Sequence, residues 1–444
     1  MRTDPDDTIF ALATGAGKGA IAIIRISGPN TDALLKRIIG GNSLPDARQA
    51  ALHILYDHSH QPIDQAMIIR FRAPKSYTGE DMAEIHCHGG VLVSAAILGT
   101  LQGHGLARIA EPGEFTKRAY YNQKIHLTQA ESINDLITAN TARQHQQAMQ
   151  QMRGIVHDAL EDLAKEMRHT LAHFEASIDF ADEELPDDLA KRAMDEISAY
   201  HEKLQTLIAS SQGAIRLREG LRVAIIGATN VGKSTLINML SAREVAIVTD
   251  HAGTTRDALE VALDIDGYPV TLIDTAGMRD TDDAVEKIGI VRAKQTSKQA
   301  DFRIVLCACD VLQSWEIARD CYQDGDIIVM NRCDIVQPQS PLPGAHVISL
   351  KTMHGVPDAR AAITAKIRAI CGDSEGIAVT RQRHLDALME ACHHCGVIIK
   401  DAERDAEFLC EDLRRSLHAL GRVTGMVDVE DLLDIIFHDF CLGK

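Results

Sequence analysis

The nine residues GATNVGKST at positions 227–235 constrain the fold of this chain more than any other stretch. They follow a short apolar run, RVAII, and precede a helical pattern, which is the strand–loop–helix context that the motif G-x-x-x-x-G-K-[ST] requires. Glycines in such a loop let successive backbone N–H groups turn toward phosphate oxygens, and the positive end of the next helix adds to the attraction. The motif predicts a phosphate-binding loop in which Lys233 reaches the β- and γ-phosphates and the Ser234 hydroxyl binds Mg²⁺.

Two other motifs predict the rest of a Mg²⁺ and γ-phosphate site. Asp274 ends the apolar run VTLID and opens DTAG, so its carboxylate can hold the Mg²⁺ shell while the N–H of Gly277 meets the γ-phosphate. GTTRD (253–257) lies in a predicted loop, where Thr255 can close on Mg²⁺ when the γ-phosphate is present. Together with the phosphate loop, these motifs predict a nucleotide-binding domain of the Ras-like type.

The motif NRCD (331–334) predicts the choice of base. The Asp334 carboxylate can accept hydrogen bonds from the N1–H and 2-amino groups of guanine, whereas adenine would leave it unpaired. Such motifs usually read N-K-x-D; here Arg332 replaces the lysine, and its guanidinium can still stack on the base. The complete set predicted to bind GTP is Asn230, Val231, Gly232, Lys233, Ser234, Thr235, Thr249, Asp250, His251, Ala252, Gly253, Thr254, Thr255, Asp274, Thr275, Ala276, Gly277, Asn331, Arg332, Asp334, Ser349, Leu350 and Lys351.

The group that orients the attacking water is less clear from these motifs. Ras-type enzymes use a glutamine directly after D-x-x-G, and this chain has Met278 there, which cannot hydrogen-bond water. Hydrolysis must therefore be very slow or be organised by other groups. Glu286, in RDTDDAVEKIG, is the nearest candidate carboxylate, and a solvated helix residue is the alternative interpretation.

The pattern of apolar residues predicts a multidomain chain that combines α/β and all-α parts. The predicted parts are an α+β domain at 1–120, a first helical part at 121–218, a GTPase domain with a mostly parallel, doubly wound sheet at 219–378, and a second helical part at 379–444. Because helical stretches bracket the GTPase domain, we expect it to be an insertion whose linkers, near Arg218 and Thr380, lie close together. Asp266-Gly267 predicts a hairpin turn within it.

Composition and charge exclude several classes of protein. No apolar run approaches the length of a membrane span, and the acidic start MRTDPDDTIF lacks the apolar segment of a signal peptide, so we expect a cytoplasmic protein without membrane contact. The ten cysteines follow no framework pattern and are expected to be reduced thiols. The net charge of −17 argues against a whole surface that binds polyanions, although a local basic patch is compatible with it.

Two arrangements resemble metal sites, and we discount both. Glu84, His86 and His88 alternate and would share one face of a strand, but no further His/Cys cluster accompanies them in sequence. CHHC (392–395) lies in the middle of a helical pattern without a second ligand pair, so buried or half-exposed helix cysteines are the favoured interpretation.

The chain ends HDFCLGK, and Cys441 admits three interpretations: a prenylation site, a reactive thiol on a tail, or the last cysteine of a helix. Gly443 is not aliphatic and Lys444 is an unusual final residue, which argues against prenylation. A reactive thiol and a bystander helix cysteine remain as alternatives.

Several of these motifs together resemble one family. They are GATNVGKS, DHAGTTRD, DTAGMRD with a downstream Glu-x-x-Gly, the N-terminal YTGEDMAEIHCHGG and EPGEFTKRAYYNQK, and the terminal FCLGK. The set resembles the MnmE (TrmE) family of bacterial tRNA modification GTPases over essentially the whole chain. The resemblance implies that the N-terminal domain binds folate and forms a homodimer, and that the GTPase domain is inserted into a helical domain.

The resemblance also implies a function. With an FAD-dependent partner of the MnmG type, in a heterotetramer or larger complex, such a protein forms an aminomethyl or carboxymethylaminomethyl group at C5 of the tRNA wobble uridine. The one-carbon unit comes from a tetrahydrofolate derivative, either 5-formyl- or 5,10-methylenetetrahydrofolate. The alternative is a GTP-switched binding protein such as an Era-like ribosome-assembly GTPase, which shares the GTPase motifs but not the N-terminal and terminal ones.

For GTP hydrolysis the resemblance implies that K⁺ stimulates the reaction and that Glu286 orients the attacking water. The implied catalytic residues are Glu286, Lys233 and Cys441. The implied K⁺ ligands are Asn230, Thr249, His251 and Thr254, and His251 stands where an apolar residue is usual.

For the folate site the implied residues are Arg25, Glu84, Lys124 and Lys444. A pterin presents the same 2-amino-4-oxo edge as guanine, so a carboxylate such as Glu84 should recognise it, and the cations suit an anionic cofactor. The ending FCLGK is close to the F-C-I-G-K of the family, with Leu442 as the change, which favours a functional thiol at Cys441 as nucleophile or proton donor.

Overall fold

The computed structural model describes residues 7–15, 17–179, 189–243, 245–246, 260–274, 299–311, 313–338, 340–372, 376–402, 404–427, 433, 436–438, 440 and 443. They fall into two compact units. Unit 1 lies within residues 1–134 and 421–444, and unit 2 lies within 135–420. No helix in these described ranges is long and apolar enough to cross a membrane.

Unit 1 is built on a mixed sheet. Its elements are β1 (Ile9–Leu12), β2 (Ile21–Ser27), α1 (Thr31–Ile38), β3 (Ala50–Tyr56), β4 (Pro62–Phe71), β5 (Met82–His88), α2 (Val91–Gly103), β6 (Arg108–Ile109) and α3 (Glu114–Tyr121), with α4 (Leu127–Thr138) beginning in it. The strand order is β3-β4-β5-β2-β1-β6, and only the β1–β6 pair is parallel. The predicted α+β character of this region is confirmed.

Strand alternation gives the sheet of unit 1 two different faces. Ile24, Ile26 and Ile85 point into a core with α1 and α2. Their neighbours in sequence lie on the opposite face, where Arg25 on β2 is in register with Glu84 on β5. Two of the predicted cofactor residues, Arg25 and Glu84, therefore share a sheet face that α1 and α2 do not cover.

In unit 2, long helices precede and follow a seven-stranded sheet along the chain. Its elements are α5 (Ala142–Met152), α6 (Ile155–Asp179), α7 (Leu189–Glu219), β7 (Leu221–Ile226), α8 (Lys233–Arg243), β8 (Val245–Ala246), β9 (Glu260–Ile265), β10 (Tyr268–Asp274), β11 (Phe302–Ala308), α9 (Ser314–Arg319), β12 (Ile327–Asn331), β13 (His346–Val347), α10 (Val356–Cys371), α11 (Gln382–Lys400) and most of α12 (Ala406–Thr424). The sheet order is β13-β12-β11-β7-β10-β9-β8, parallel from β13 to β10. This is the predicted Ras-like, mostly parallel sheet.

Local sequence explains the antiparallel edge of this sheet. β9 and β10 pair as a hairpin, and Asp266 (φ 55°) and Gly267 (φ 85°) both adopt positive φ, as a two-residue type I′ turn requires. The Asp264 carboxylate accepts a hydrogen bond from Gly267 N at 2.7 Å and closes the turn. The predicted hairpin is confirmed.

The long helix α6 of unit 2 buries apolar side chains along one face. On α6, Leu163, Met167 and Phe174 are buried, as their spacing indicates. The CHHC segment lies inside α11, where Cys392 and Cys395 are buried, and burial raises the pKa of Cys395 to about 11. A thiol with that pKa stays protonated at neutral pH, which fits a packing role.

The two linkers of the predicted insertion meet, as expected. Arg218 Nε donates to the carbonyl of Thr380 at 2.7 Å. One face of α5 holds both linkers, because Gln144 and Gln151 donate their amide hydrogens to the carbonyls of Arg218 and Ala378 at 3.0 and 2.7 Å. The closeness of the linkers is therefore confirmed, while the four domain boundaries stay a prediction.

Candidate functional site

The predicted phosphate-binding loop joins β7 to α8 at one edge of the seven-stranded sheet, and two of its positions require glycine. A Cβ at Gly227 would lie 2.2 Å from the carbonyl oxygen of Leu306 on the adjacent β11. Gly232 has φ +106°, and a Cβ there would lie 2.6 Å from Asn331 Nδ2. The backbone can thus take its curled path only with glycine at both positions.

Lys233 begins α8 and is buried at the centre of this loop. Its Nζ donates to the carbonyls of Gly227 and Ala228, both at 2.7 Å. Burial lowers the pKa of Lys233, and the negative charge of Asp274 opposes that shift. Asp274 is the last residue of β10, in register with Ile225 of β7, so parallel pairing brings the two predicted phosphate-site residues to one sheet edge. Ser234 and Thr235 follow in the first turn of α8 and are exposed.

The predicted base-recognition motifs converge on the same edge. Asn331, the last residue of β12, donates to the carbonyl of Val231 at 2.9 Å and accepts from Leu350 N at 3.0 Å. The Ser349 hydroxyl donates to Asp334 Oδ1 at 2.6 Å, and this hydrogen bond lowers the pKa of Asp334. The carboxylate is therefore charged at neutral pH, the state that accepts hydrogen bonds from guanine.

Arg332, which replaces the usual lysine, has a partner that the sequence did not predict. Its guanidinium pairs with Asp310, just after β11, at 3.0 Å, and also donates to the backbone carbonyl of Asn230. Both Arg332 and Asn230 have positive φ, at 66° and 60°. Arg332 thereby ties the base motif to the phosphate loop. The sequence signal for this ion pair is the arginine in place of the lysine of N-K-x-D.

A second site lies in unit 1. A cavity of about 430 Å³ is lined by Arg48, Phe71, Lys75, Ser76, Tyr77, Met82, Glu84 and Lys124. It brings together Glu84 and Lys124, which the family resemblance singled out. Arg48 and Lys75 are further cations of the same cavity that the sequence did not reveal.

Arg25 lies within β2, and it contacts Glu84 of the cavity lining. Its Nη2 and Nε lie 3.0 and 3.2 Å from Glu84 Oε1, while His86 Nε2 lies 3.3 Å from Oε2. The guanidinium also lies 5.4 Å from the ring centre of Tyr77. Arg25 therefore contacts Glu84 directly, and its predicted role as a folate ligand stays a prediction.

The carboxyl-terminal tail reaches this site at Gly443. The carbonyl oxygen of Gly443 lies 3.5 Å from Arg25 Nη1. Gly443 is buried with φ +89°, and a Cβ there would lie 2.1 Å from the carbonyl oxygen of Leu12. Phe437 and Phe440 pack in a core with Leu127 just before it. Only glycine fits where the tail passes β1.

The alternating Glu84, His86 and His88 do not converge. His88 Nδ1 pairs with Asp64 Oδ1 at 2.7 Å, away from the Glu84–His86 contact. In the part of the chain that the structure describes, no group of three or more His, Cys, Asp or Glu side chains is arranged to hold a metal ion.

Some predicted residues lie outside the described residues. They are Thr249, Asp250, His251, Ala252, Gly253, Thr254, Thr255, Thr275, Ala276, Gly277, Met278, Glu286, Cys441, Leu442 and Lys444. The predictions for these positions stay predictions.

Comparison with known proteins covers both units. Residues 8–124 match the family described as "GTP-binding protein TrmE N-terminus", and residues 127–441 match "MnmE helical domain". The tRNA modification GTPase MnmE of Rhodopseudomonas palustris (strain BisB18) is 44% identical over 98% of this chain and 99% of its own length. The proteins of the same name from Parvibaculum lavamentivorans and Paramagnetospirillum magneticum are 42% and 39% identical, each over 99% of this chain and 100% of their own length.

Among solved structures, Aquifex aeolicus Era is 23% identical over 39% of this chain and 66% of its own chain, with a TM-score of 0.27.

Proposed function

This chain belongs to the MnmE family of tRNA modification GTPases, and from that membership we propose a specific division of labour between its two sites. Unit 2 binds and hydrolyses GTP with Mg²⁺ and K⁺. Unit 1 binds a tetrahydrofolate derivative that supplies a one-carbon unit to C5 of the tRNA wobble uridine. An FAD-dependent partner of the MnmG type completes the reaction, in the cytoplasm.

The proposal rests on the cavity of unit 1, which contains Glu84 and Lys124. The same chain carries a guanine-recognition motif in unit 2. A carboxylate has about four acceptor positions; two N–H groups of Arg25 occupy Oε1 and His86 Nε2 contacts Oε2, so Oε2 keeps one position for an N–H donor of a pterin. The rings of Phe71 and Tyr77 line the same cavity and suit a flat heterocycle. The donor set therefore fits a folate.

In the GTPase site the proposal assigns roles to residues by their contacts. Lys233 would exchange its two hydrogen bonds to loop carbonyls for charge-assisted ones to the β- and γ-phosphates. Mg²⁺ would be held by Ser234 and Thr255, with Asp274 in its outer shell. K⁺ would be held by Asn230, Thr249, His251 and Thr254, and would supply positive charge near the transferred phosphoryl group. Glu286 would orient the attacking water.

For the tail, the proposal places Cys441 and Lys444 beside the folate. Support comes from Gly443, whose carbonyl lies 3.5 Å from the Arg25 guanidinium that pairs with Glu84. Two residues of extended chain span about 7 Å, so a tail held at Gly443 keeps Cys441 within reach of the cavity residues. Cys441 would act there as nucleophile or proton donor.

The proposed homodimer would use the sheet face of unit 1 that α1 and α2 leave uncovered. Leu52 on β3 is 64% exposed and is in register with the exposed Met67 on β4, and Ile54 and Ile21 extend the apolar patch. Glu84 lies on the same face. An apolar face next to a cofactor site suits an isologous contact with a second copy.

Leu52→Glu is expected to weaken dimerisation by about 100-fold, because a two-fold interface buries the new charge twice. Sedimentation equilibrium would measure the change. Leu92→Glu, at an 85% exposed position outside that face, is the matched control and should leave the dimer intact. An unchanged dimer in the Leu52 variant would mean that another surface is used.

The function itself is tested by deleting the gene and analysing wobble-uridine nucleosides by mass spectrometry. Loss of the C5-aminomethyl or carboxymethylaminomethyl group, restored by the intact gene, is the expected result. GTP hydrolysis by the purified protein should be at least about tenfold faster in K⁺ than in Na⁺ at equal ionic strength, if the cation stabilises transition-state charge. An unchanged nucleoside profile would contradict the modification role, and equal rates would contradict the K⁺ site.

The Era-like alternative is the weaker one. Relatives named tRNA modification GTPase cover 98–99% of this chain, including the folate-type cavity of unit 1. A protein that only switches partners has no need of that cavity. The nucleoside analysis separates the two, since an assembly factor would leave the wobble uridine unchanged.

A further inference from the structure

The cavity in unit 1 has an unusual excess of positive charge. Three of its lining residues, Arg48, Lys75 and Lys124, are cations, and all three are exposed. Glu84 is the single anion of the lining, and Arg25 already neutralises it at 3.0 Å. On a chain with a net charge of −17, such a group of cations indicates an anionic ligand.

The cations are held at the opening by backbone contacts. Arg48 has φ 65° and its Nη2 donates to the carbonyl of Lys75 at 3.0 Å. Lys124 Nζ donates to the carbonyl of Pro74 at 2.9 Å. These bonds bring the side chains of Arg48 and Lys124 to the turn that carries Lys75, and within the described residues none of the three cations forms an ion pair.

We infer that Arg48, Lys75 and Lys124 form a basic rim that binds the glutamate tail of the folate and makes the site selective for polyglutamylated forms. The inference rests on the proposed folate site. A folate with one glutamate carries two carboxylates, and each added γ-linked glutamate brings one more. With the pterin at Glu84, which is largely buried, the flexible tail extends toward the exposed cations.

Each exposed ion pair contributes little binding energy alone. A chain of linked carboxylates that faces three cations can form several such pairs at once, which raises its affinity. We expect the pentaglutamate of 5-formyltetrahydrofolate to bind roughly tenfold to 100-fold more tightly than the monoglutamate in about 0.1 M salt. Because the rim is exposed, raising the salt to about 1 M should remove most of that difference.

The test is calorimetric titration of the full-length protein with the monoglutamate and with the pentaglutamate. The Arg48→Gln/Lys75→Gln double variant should lose the preference for the pentaglutamate, because its affinity for the pentaglutamate falls by about tenfold or more and its affinity for the monoglutamate falls less. Lys36→Gln, an exposed lysine of α1 that does not line the cavity, is the matched control and should retain the preference. The single variant Lys75→Gln should keep its melting temperature and lose part of the preference for the pentaglutamate.

The outcomes separate the two claims. Equal binding of both folates by the intact protein overturns the rim and leaves the folate site standing. Failure of either folate to bind overturns both. A double variant that keeps the preference shows that other residues carry it. A double variant that loses affinity for tRNA while its folate affinities stay unchanged identifies the rim as a nucleic-acid contact, and overturns the inference.

Discussion

Asp334→Asn is expected to lower the affinity for GTP by about 100-fold or more and to create affinity for xanthosine triphosphate. The carboxylate accepts from both N1–H and the 2-amino group of guanine, whereas an amide offers one acceptor and one donor. Xanthine presents N1–H beside a C2 carbonyl, so it matches the amide. Asp334 accepts the Ser349 hydroxyl at 2.6 Å, and an asparagine can keep that bond through its own oxygen.

Titration with fluorescent analogues of both nucleotides measures the exchange. Asp324→Asn, at an exposed position of the same domain, is the matched control and should leave the GTP affinity unchanged. Because the variant keeps the contact with Ser349, its melting temperature should stay within a few degrees of the parent. A variant that still prefers GTP would show that Asp334 does not recognise the base.

The parts of the fold that sequence predicted are those set by local chemistry. The phosphate loop depends on backbone conformation at Gly227 and Gly232, and a motif records such requirements directly. The hairpin depends on Asp266-Gly267, which adopts positive φ at both residues. Parallel strands appear as continuous β-branched runs because both faces of the sheet are covered.

The contacts that sequence did not predict depend on where distant segments meet. Asp310 reaches Arg332 because β11 and β12 are adjacent parallel strands, which no spacing along the chain reveals. Arg48 and Lys75 lie in separate connecting segments and meet only through a side-chain contact with a backbone carbonyl. Surface cations in loops carry no periodic signal, so tertiary structure alone brings them to the cavity.

Arg25 is a third case, because the sequence singled out the residue but did not predict its contact with Glu84. Family resemblance makes Arg25 a folate ligand, which stays a prediction, and the register of β2 with β5 sets it opposite Glu84. The two hydrogen bonds from Arg25 to Glu84 Oε1 fix the orientation of that carboxylate. If Glu84 binds folate as proposed, removing either partner of the ion pair should have a large effect on folate affinity.

Glu84→Gln is expected to lower folate affinity by about 100-fold and to abolish wobble-uridine modification, while GTP hydrolysis changes less than about twofold. A glutamine turns one N–H donor toward the donors of the pterin and leaves the Arg25 guanidinium without its charged partner. Glu111→Gln, at an exposed position of the same unit, is the matched control and should leave both activities intact. Loss of GTP hydrolysis along with modification would instead indicate misfolding.

Arg25→Lys separates charge from geometry in the same pair. A lysine keeps the positive charge but cannot present the two N–H groups that lie 3.0 and 3.2 Å from Glu84 Oε1. We expect folate affinity to fall by about tenfold, between those of the parent and of Glu84→Gln, because Glu84 keeps a cationic partner and loses only its fixed orientation. Isothermal titration measures all three proteins. A lysine variant as weak as Glu84→Gln would mean that Arg25 contacts the folate itself, and one as strong as the parent would mean that the ion pair does not orient Glu84.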